Sequence, residues 1–419
     1  MNSEKKVRIS WPLLLGSLSG VNPIFPALYF LYSIFIQFIQ LFYFKKISVP
    51  TMLIYLYLIQ CFVSGLVFGG FDSIKTDGIV TWIANEGRVF VYFLPGLAIL
   101  QSVKVKNYWS KSILIVSLFI FVAILLRKIT GYQLFTSHHA AGAFSTVTTA
   151  YFICMLRQKY CAIHIFGFLI SILGLLGSNS RTSLIAIFIA VLIMNLRQLN
   201  LVKTFKYTLA LFLCFIFAIN IFEDQTKRIQ NLANPVIFNV VKANLYSAII
   251  NEKVELSRAY DASKYADTSA DANVAIRGYL FGQAIGHFSR SPLVGMGFGR
   301  FNDLGKEFVG EKGLFYVAYT SDNPSPSNFT AHNTFLQILA ETGLVGLVTI
   351  AMLFRYFYIK ISLLKNENRF FFEFGMLNLI MLLLMGITQH SIGAPIFGFS
   401  NFVAICWAYT AVNRKEKKN

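Results

Sequence analysis

Long apolar stretches separated by short polar turns make up most of the chain. A helix needs about 20 predominantly apolar residues to cross the hydrocarbon core of a bilayer. Runs of this kind, several of them short, lie near residues 9–20, 24–43, 49–70, 88–103, 111–127, 139–156, 160–177, 182–196, 204–222, 334–354, 371–388 and 394–411. The pattern predicts an all-α polytopic membrane protein with about 12 transmembrane helices.

One long polar segment, residues 223–331, interrupts this pattern. It carries 11 basic and 11 acidic residues, as a folded, water-exposed surface does. Two stretches inside it, 244–250 and 275–288, have the periodicity of amphipathic helices. The chain is therefore predicted to consist of a bundle of about nine spans (1–222), a large helical loop (223–331) and about three C-terminal spans (332–419).

Composition and charge agree with a membrane protein and give it an orientation. Hydrophobic residues make up 56% of the chain and charged residues only 13%, about half the usual share in soluble domains. If both termini are cytoplasmic, the short loops and tails of that side hold 21 Lys and Arg, against five on the short loops of the other side. The positive-inside rule then places residues 223–331 on the outer, periplasmic or extracellular, face. The net charge of +18 is explained by the anionic inner leaflet, so nucleic acid is not a required partner.

Ionisable side chains at the outer ends of spans are the candidates for chemistry, because charges near lipid are costly and usually functional. Arg181 lies between two spans among small polar residues, and its guanidinium suits bidentate binding of phosphate. His332 opens a span and is placed to accept a proton from an alcohol. Asn333, Gln337 and Glu341 follow it at helical spacing and predict a polar stripe facing the bundle interior. Interfacial anchoring for Arg181, and simple exposure to water for His332, are the alternatives.

The long loop contributes two further features. Arg277 lies in the stretch predicted as an amphipathic helix, where a solvated helix-face charge is the simplest interpretation. The glycines at 295, 297 and 299 have no strand–helix context for dinucleotide binding, and predict a turn with close backbone approach. A phosphate-binding loop with Gly-Lys-Ser/Thr does not occur. The outer loop 71–88 contains Asp72, Asp77 and Glu86 but no tight acidic pair for a divalent metal, and Asp267 with Asp271 is a weaker alternative.

The order and spacing of these residues resemble the O-antigen ligase and O-antigen polymerase superfamily. The similar motifs are Ser180-Arg181-Thr182, then Arg277 followed by Ser291-Pro292-x-x-Gly295-x-Gly297, and finally His332-Asn333-x-x-Leu336-x-x-x-x-Glu341-x-Gly343. They cover the C-terminal half of the chain. The N-terminal third is similar in topology alone.

The resemblance implies a GT-C-like, metal-independent glycosyltransferase of the bacterial inner membrane, with no cofactor. Arg181, Arg277 and Arg88 would bind the pyrophosphate of an undecaprenyl-pyrophosphate-linked glycan donor. His332 would be the general base, supported by Asn333 and Glu341. The acceptor is either the next lipid-linked repeat unit, for a polymerase, or the lipid A–core sugar, for a ligase. We favour the polymerase because no basic platform for a phosphorylated core is evident in the sequence. Membrane lipid is an expected partner, and a chain-length regulator is an additional partner to consider.

Two other classes compete with an enzyme. A flippase or other transporter would favour charged or broken helices at the bilayer midplane and repeated halves. The ionisable residues here gather at the outer rim instead, and transport does not need a loop of about a hundred residues. A structural membrane scaffold would leave Arg181, Arg277 and His332 unexplained.

Overall fold

The computed structural model describes residues 48–68, 71, 88–101, 109–130, 138–178, 180–196, 269–301, 330–392 and 398–416. All regular secondary structure in these ranges is helical. The helices are α1 (Val49–Val67), α2 (Arg88–Gln101), α3 (Trp109–Thr130), α4 (His138–Gln158), α5 (Ala162–Gly177), α6 (Arg181–Leu196), α7 (Ser269–Arg290), α8 (Thr334–Ser362), α9 (Arg369–Thr388) and α10 (Phe399–Glu416).

Most of the helices predicted from the apolar pattern are confirmed. Nine of the predicted runs coincide with helices, and the amphipathic stretch 275–288 lies inside α7. The runs 9–20, 24–43 and 204–222, and the stretch 244–250, lie outside the described residues. The all-α class is confirmed for the described part of the chain, whereas the total of about 12 spans and the GT-C-like arrangement remain predictions.

Three of the described helices, α1, α8 and α9, are long and apolar enough to cross a membrane. Of these, α1 and α8 also expose rows of large apolar side chains, as lipid-facing helices do, whereas α9 is mostly buried; on α1 the exposed residues include Met52, Leu56, Ile59, Val63 and Leu66. The opposite faces of the helices pack into one aromatic-rich core. In it Phe402 of α10 meets Phe93 of α2 edge-to-face, with ring centroids 5.2 Å apart. The chain is therefore a membrane protein.

A buried ionic cluster fixes one end of the bundle. The carboxylate of Glu373, near the start of α9, lies 3.4 Å from the Arg157 guanidinium at the end of α4 and 2.8 Å from that of Arg369. Arg157 also donates to the side-chain oxygen of Asn195 near the end of α6. Since burying these charges is tolerable only when they are paired, the cluster locks α4, α6 and α9 together. We call this end the basic end.

The opposite end, which we call the site end, is defined by contacts that join the starts of α2, α8 and α10 and the end of α9. The Thr334 hydroxyl, at the start of α8, donates to the carbonyl of Gln389, just after α9. Tyr92, one turn into α2, donates its hydroxyl to the carbonyl of Gly398, just before α10. Helix α6 packs against α9 and reaches the basic end at Asn195, so its first residue, Arg181, lies toward the site end.

Helix α8 differs from the predicted tenth span. The apolar pattern predicted one run over 334–354, but α8 continues to Ser362 and is broken at Gly343, where φ is 65° and ψ is −162°. Hydropathy did not reveal the break, because the polar residues Glu341 and Thr342 interrupt the apolar run only briefly before the glycine.

Candidate functional site

The break in α8 is filled by the segment Ser291–Arg300, which we call the glycine loop. The backbone N–H groups of Met296 and Gly297 donate to the carbonyls of Ala340 and Glu341, at 2.8 and 3.2 Å. In return, the N–H groups of Leu344 and Val345 donate to the carbonyls of Pro292 and Leu293, at 2.8 and 3.1 Å; both helix residues follow the break. The loop therefore replaces the hydrogen bonds that the helix loses at Gly343, as buried backbone requires.

Two glycines permit this close approach. A Cβ atom on Gly295 would lie 2.3 Å from the backbone of Glu341, and one on Gly343 would lie 2.3 Å from the carbonyl oxygen of Leu293. Both residues also have positive φ, which favours glycine. The predicted turn with close backbone approach is confirmed, and its partner is the broken helix α8.

Helix α1 supports the same junction. Gln60 donates its side-chain amide to the carbonyl of Thr342, and Ser64 donates its hydroxyl to that of Glu341. The Ser64 hydroxyl also accepts from the backbone N–H of Phe298, so one side chain joins the glycine loop to α8. Sequence reasoning missed Gln60 and Ser64, because each is an isolated polar residue in an apolar run.

His332 lies immediately before α8 in a constrained backbone conformation. It is the one described non-glycine residue with positive φ, at 48°, a value that non-glycine residues adopt only when the surrounding structure holds them. Here the side chain of Gln337 accepts from the N–H of Ala331 at 2.7 Å. On the other side, Asn333 caps the helix by accepting from the N–H groups of Phe335 and Leu336.

The segment that carries His332 is also bound to the end of α9. Asn333 donates its side-chain amide to the carbonyl of Ile387. The fully buried hydroxyl of Thr334 donates to the carbonyl of Gln389 and accepts from the N–H groups of Ser391 and Ile392. Asn333, predicted as a supporting residue, thus holds the backbone beside His332. Thr334 does the same and was missed, because its partners lie more than 50 residues later.

Arg277 and His332 come together at this end of the molecule. Helix α7, which carries Arg277, packs on the start of α8 through a small apolar cluster that includes Leu280, Ala284 and Ala331. Burial, and to a smaller extent the positive charge of Arg277, together lower the pKa of His332 from 6.5 to about 4. His332 is therefore a neutral imidazole at neutral pH, able to accept a proton, with a guanidinium in electrostatic range.

Arg181 lies at a corner built from serines. The Ser180 hydroxyl, fully buried, is 2.8 Å from that of Ser183, and Ser178 donates to the carbonyl of Leu175. Helix α4 approaches closely, since a Cβ on Gly142 would lie 2.4 Å from the Ser180 side chain. Arg181 itself is half-buried and begins α6. The role of Arg181 at this corner stays a prediction.

For the other two candidate residues, Arg88 and Glu341, the structure gives a position in the bundle. Arg88 is the first residue of α2, one turn before Tyr92, and so belongs to the site end. Glu341 is half-buried at the helix break, where its carboxylate lies within electrostatic range of Tyr57 and Cys61 on α1. Within the predicted polar stripe, Asn333 and Gln337 accept from backbone N–H groups on either side of His332, whereas the supporting role of Glu341 stays a prediction.

Within the described ranges, no cluster of three or more His, Cys, Asp or Glu side chains could hold a metal ion. The acidic residues Asp72, Asp77, Glu86 and Asp267 lie outside the described residues, and the side chain of Asp271 is not described either.

A helical membrane protein with a neutral histidine and arginines at one end of its bundle is the class that this fold and site define. Residues 166–351 match the model of the family described as O-antigen ligase. This range contains Arg181, Arg277, the glycine loop and His332, whereas Arg88 lies outside it. The resemblance predicted from the motifs is therefore confirmed over that part of the chain.

A curated relative matches a shorter stretch. The exopolysaccharide production protein ExoQ of Rhizobium meliloti (strain 1021) is 34% identical over 100 residues, which is 24% of this chain and 22% of the relative. The chain thus covers about a fifth of that protein's length. Both similarities belong to proteins named for bacterial surface polysaccharide.

Proposed function

We propose that this protein is a glycosyltransferase of surface-polysaccharide biosynthesis, and that it transfers a glycan from a polyprenyl-pyrophosphate carrier on the outer face of the bacterial inner membrane. The observation that carries the proposal is the position of His332 and Arg277 together at the site end, inside the segment that matches the O-antigen ligase family. A transporter would not need a neutral histidine held in a constrained backbone beside a cation.

In this reaction His332 is the general base. The neutral imidazole accepts the proton of the acceptor hydroxyl while that oxygen bonds to the anomeric carbon of the donor. The bond from this carbon to the pyrophosphate breaks, and undecaprenyl pyrophosphate leaves. A positioned general base contributes typically about 10²–10⁴-fold in rate.

The arginines act on the leaving group. Arg277, Arg181 and Arg88 bind the pyrophosphate and stabilise the negative charge that develops on it. The Arg277 charge that lowers the pKa of His332 is neutralised when pyrophosphate binds. Donor binding therefore raises the pKa of His332 toward that of a stronger base, so that the base is activated when the donor is in place.

The arginines also take the role that a divalent ion has in many phosphate displacements. We therefore propose a metal-independent reaction without a cofactor. Its test is transfer activity in the presence of a chelator: full activity is expected, and loss of activity that is restored by added Mg²⁺ would contradict this part of the proposal.

For the acceptor we propose the next lipid-linked repeat unit, which makes the protein a polymerase. A strain that lacks the protein tests this choice, with its surface polysaccharide separated by size. A single repeat unit on the core is expected for a polymerase. Unattached long chains would identify a ligase instead, and precursor retained on the cytoplasmic face would identify a transporter and overturn the proposal.

The orientation is testable separately. The proposal needs both termini in the cytoplasm and residues 223–331 outside. The outer segment then separates the transmembrane bundle 1–222 from the C-terminal spans 332–419. Reporter fusions or thiol-accessibility labelling measure this directly. An external C-terminus would place His332 on the wrong face.

A further inference from the structure

The tip of the glycine loop is apolar and uncovered. Leu293 exposes 65% of its side chain and Val294 exposes 47%, and Pro292 before them is exposed as well. Three consecutive exposed apolar residues are unusual on a surface that faces water. The tip belongs to the segment predicted to lie outside the membrane, where water would surround these apolar side chains.

The tip is joined to the lipid-facing part of α8. Its carbonyls accept hydrogen bonds from Leu344 and Val345, which are themselves 40% and 48% exposed. From there the exposed apolar surface continues along α8 through Val348 and Met352. In contrast, no residue from 334 to 343 is exposed. The lipid-facing surface of α8 therefore begins where the glycine loop is attached.

The geometry of α8 places this attachment at the membrane boundary. Phe335 of α8 lies against Gly386 of α9, and Ile361 lies against Gly375. Along straight helices these pairs would be separated by about 39 Å on α8 but only about 16 Å on α9. The two helices cannot run side by side over that length, so α8 changes direction at Gly343. Its second part, from Leu344 to Ser362, is about 28 Å long, which is enough to cross the hydrocarbon core without the first part of α8.

We propose that the tip Pro292–Val294 is inserted among the phospholipid acyl chains of the leaflet at the site end, which is the outer leaflet in the predicted orientation. Non-helical backbone can enter lipid only if its polar groups are satisfied. Here the carbonyls of Pro292 and Leu293 are bonded to α8, and the N–H of Gly295 is bonded to the carbonyl of Ser291. The occupant is lipid because the tip continues a surface that lipid already covers.

Insertion ties the outer segment to the bilayer. Helix α7 ends at Arg290, directly before the glycine loop, and carries Arg277 on the same rigid helix. An anchored tip therefore fixes the height of Arg277 and His332 above the membrane surface. This inference concerns membrane contact alone and stands whether or not the protein is a glycosyltransferase.

Photolabelling of the unmodified protein tests the proposal. The protein is placed in nanodiscs whose phosphatidylethanolamine and phosphatidylglycerol carry a diazirine within the acyl chain, and the adducts are located by peptide mass spectrometry. We expect adducts on the peptide that contains Leu293 and Val294, as on the one that contains Val348 and Met352. A water-soluble diazirine should label Ser289 and leave the tip unlabelled.

A spin label gives an independent measure of depth. Leu293→Cys, in a background without the native cysteines, should be accessible to oxygen and protected from a water-soluble nickel chelate, like Val348→Cys and unlike Ser289→Cys. Accessibility to nickel comparable to that of Ser289→Cys would overturn the proposal. A second copy of the protein could also cover the tip. In that case Leu293→Cys would be protected from both reagents in proteoliposomes and would regain access to oxygen in single-copy nanodiscs, and this result would overturn the proposal too. If Leu293→Cys fails to fold, Val294→Cys and the unmodified-protein labelling decide.

Discussion

Replacing Gly343 by alanine is predicted to break the junction between the glycine loop and α8. The φ and ψ of Gly343, 65° and −162°, lie in a region that is essentially restricted to glycine, and forcing another residue there costs about 1–3 kcal/mol. The added Cβ would also lie 2.3 Å from the carbonyl oxygen of Leu293 and 2.6 Å from the nitrogen of Gly295. Neither atom can move away alone, because the Leu293 oxygen accepts from the N–H of Val345 on α8 and the Gly295 N–H donates to the carbonyl of Ser291 within the loop.

The loop must therefore withdraw, and the hydrogen bonds from Leu344 and Val345 to it are the nearest to be lost. Each contributes about 0.5–1.5 kcal/mol net. Together with the backbone strain this predicts a loss of roughly 2–6 kcal/mol in the free energy of unfolding. At about 2 °C per kcal/mol for a chain of this size, the apparent Tm should fall by roughly 4–12 °C.

Gly174→Ala is the matched control. Gly174 lies within α5, and a Cβ there would meet only Ser145 Oγ at 3.3 Å and Ile120 Cγ2 at 3.5 Å. Alanine favours a helix over glycine by up to about 1 kcal/mol, so this variant should keep or slightly raise the Tm. Both variants would be purified in the same detergent and unfolded thermally at one scan rate. Equal Tm values for Gly343→Ala and wild type would refute the interlock as the source of stability here.

Three further predictions concern the site. For Arg277→Gln, the acid-side apparent pKa in the pH profile of kcat/KM should lie above that of the wild type, which should lie near 4, because removing the cation raises the pKa of His332. An unchanged profile would show that Arg277 does not act on His332. Arg181→Lys should insert normally and lose most transfer activity, since an ammonium does not reproduce a bidentate fork; full activity would make Arg181 an interfacial anchor. Thr334→Val should lower kcat by leaving the N–H groups of Ser391 and Ile392 without their acceptor, with Thr334→Ser restoring it; an active valine variant would show that His332 does not depend on this contact.

The helices and the site were predictable to different degrees. Whether a segment forms an apolar helix is decided by its own residues, which is why runs such as 371–388 were located to within a few positions. The break at Gly343 depends instead on a loop about 50 residues earlier, and the apolar pattern shows only the short polar interruption Glu341-Thr342 beside it. Hydropathy alone therefore treats a broken helix and a continuous one alike.

The same distinction applies to the residues of the site. His332 was predicted from its position at the start of a span and Arg277 from the resemblance to a known family, whereas their proximity could not be worked out from spacing. The role of Thr334 depends on Gln389 and Ser391 beyond the next helix. The lowered pKa of His332 could not be predicted either, since burial, its largest cause, is a property of the fold.

The central claim is that His332 is the base of a glycan transfer, and a time course of polymer formation by the purified protein tests it most directly. Purified wild type and His332→Ala would be mixed with lipid-linked repeat units in the presence of a chelator, and product length would be followed with time. Wild type should form polymer under these conditions, and His332→Ala should be slower by about 10²–10⁴-fold while keeping the Tm within a few degrees. Wild-type turnover in a folded His332→Ala would contradict the assignment of the base and, with it, the proposed mechanism.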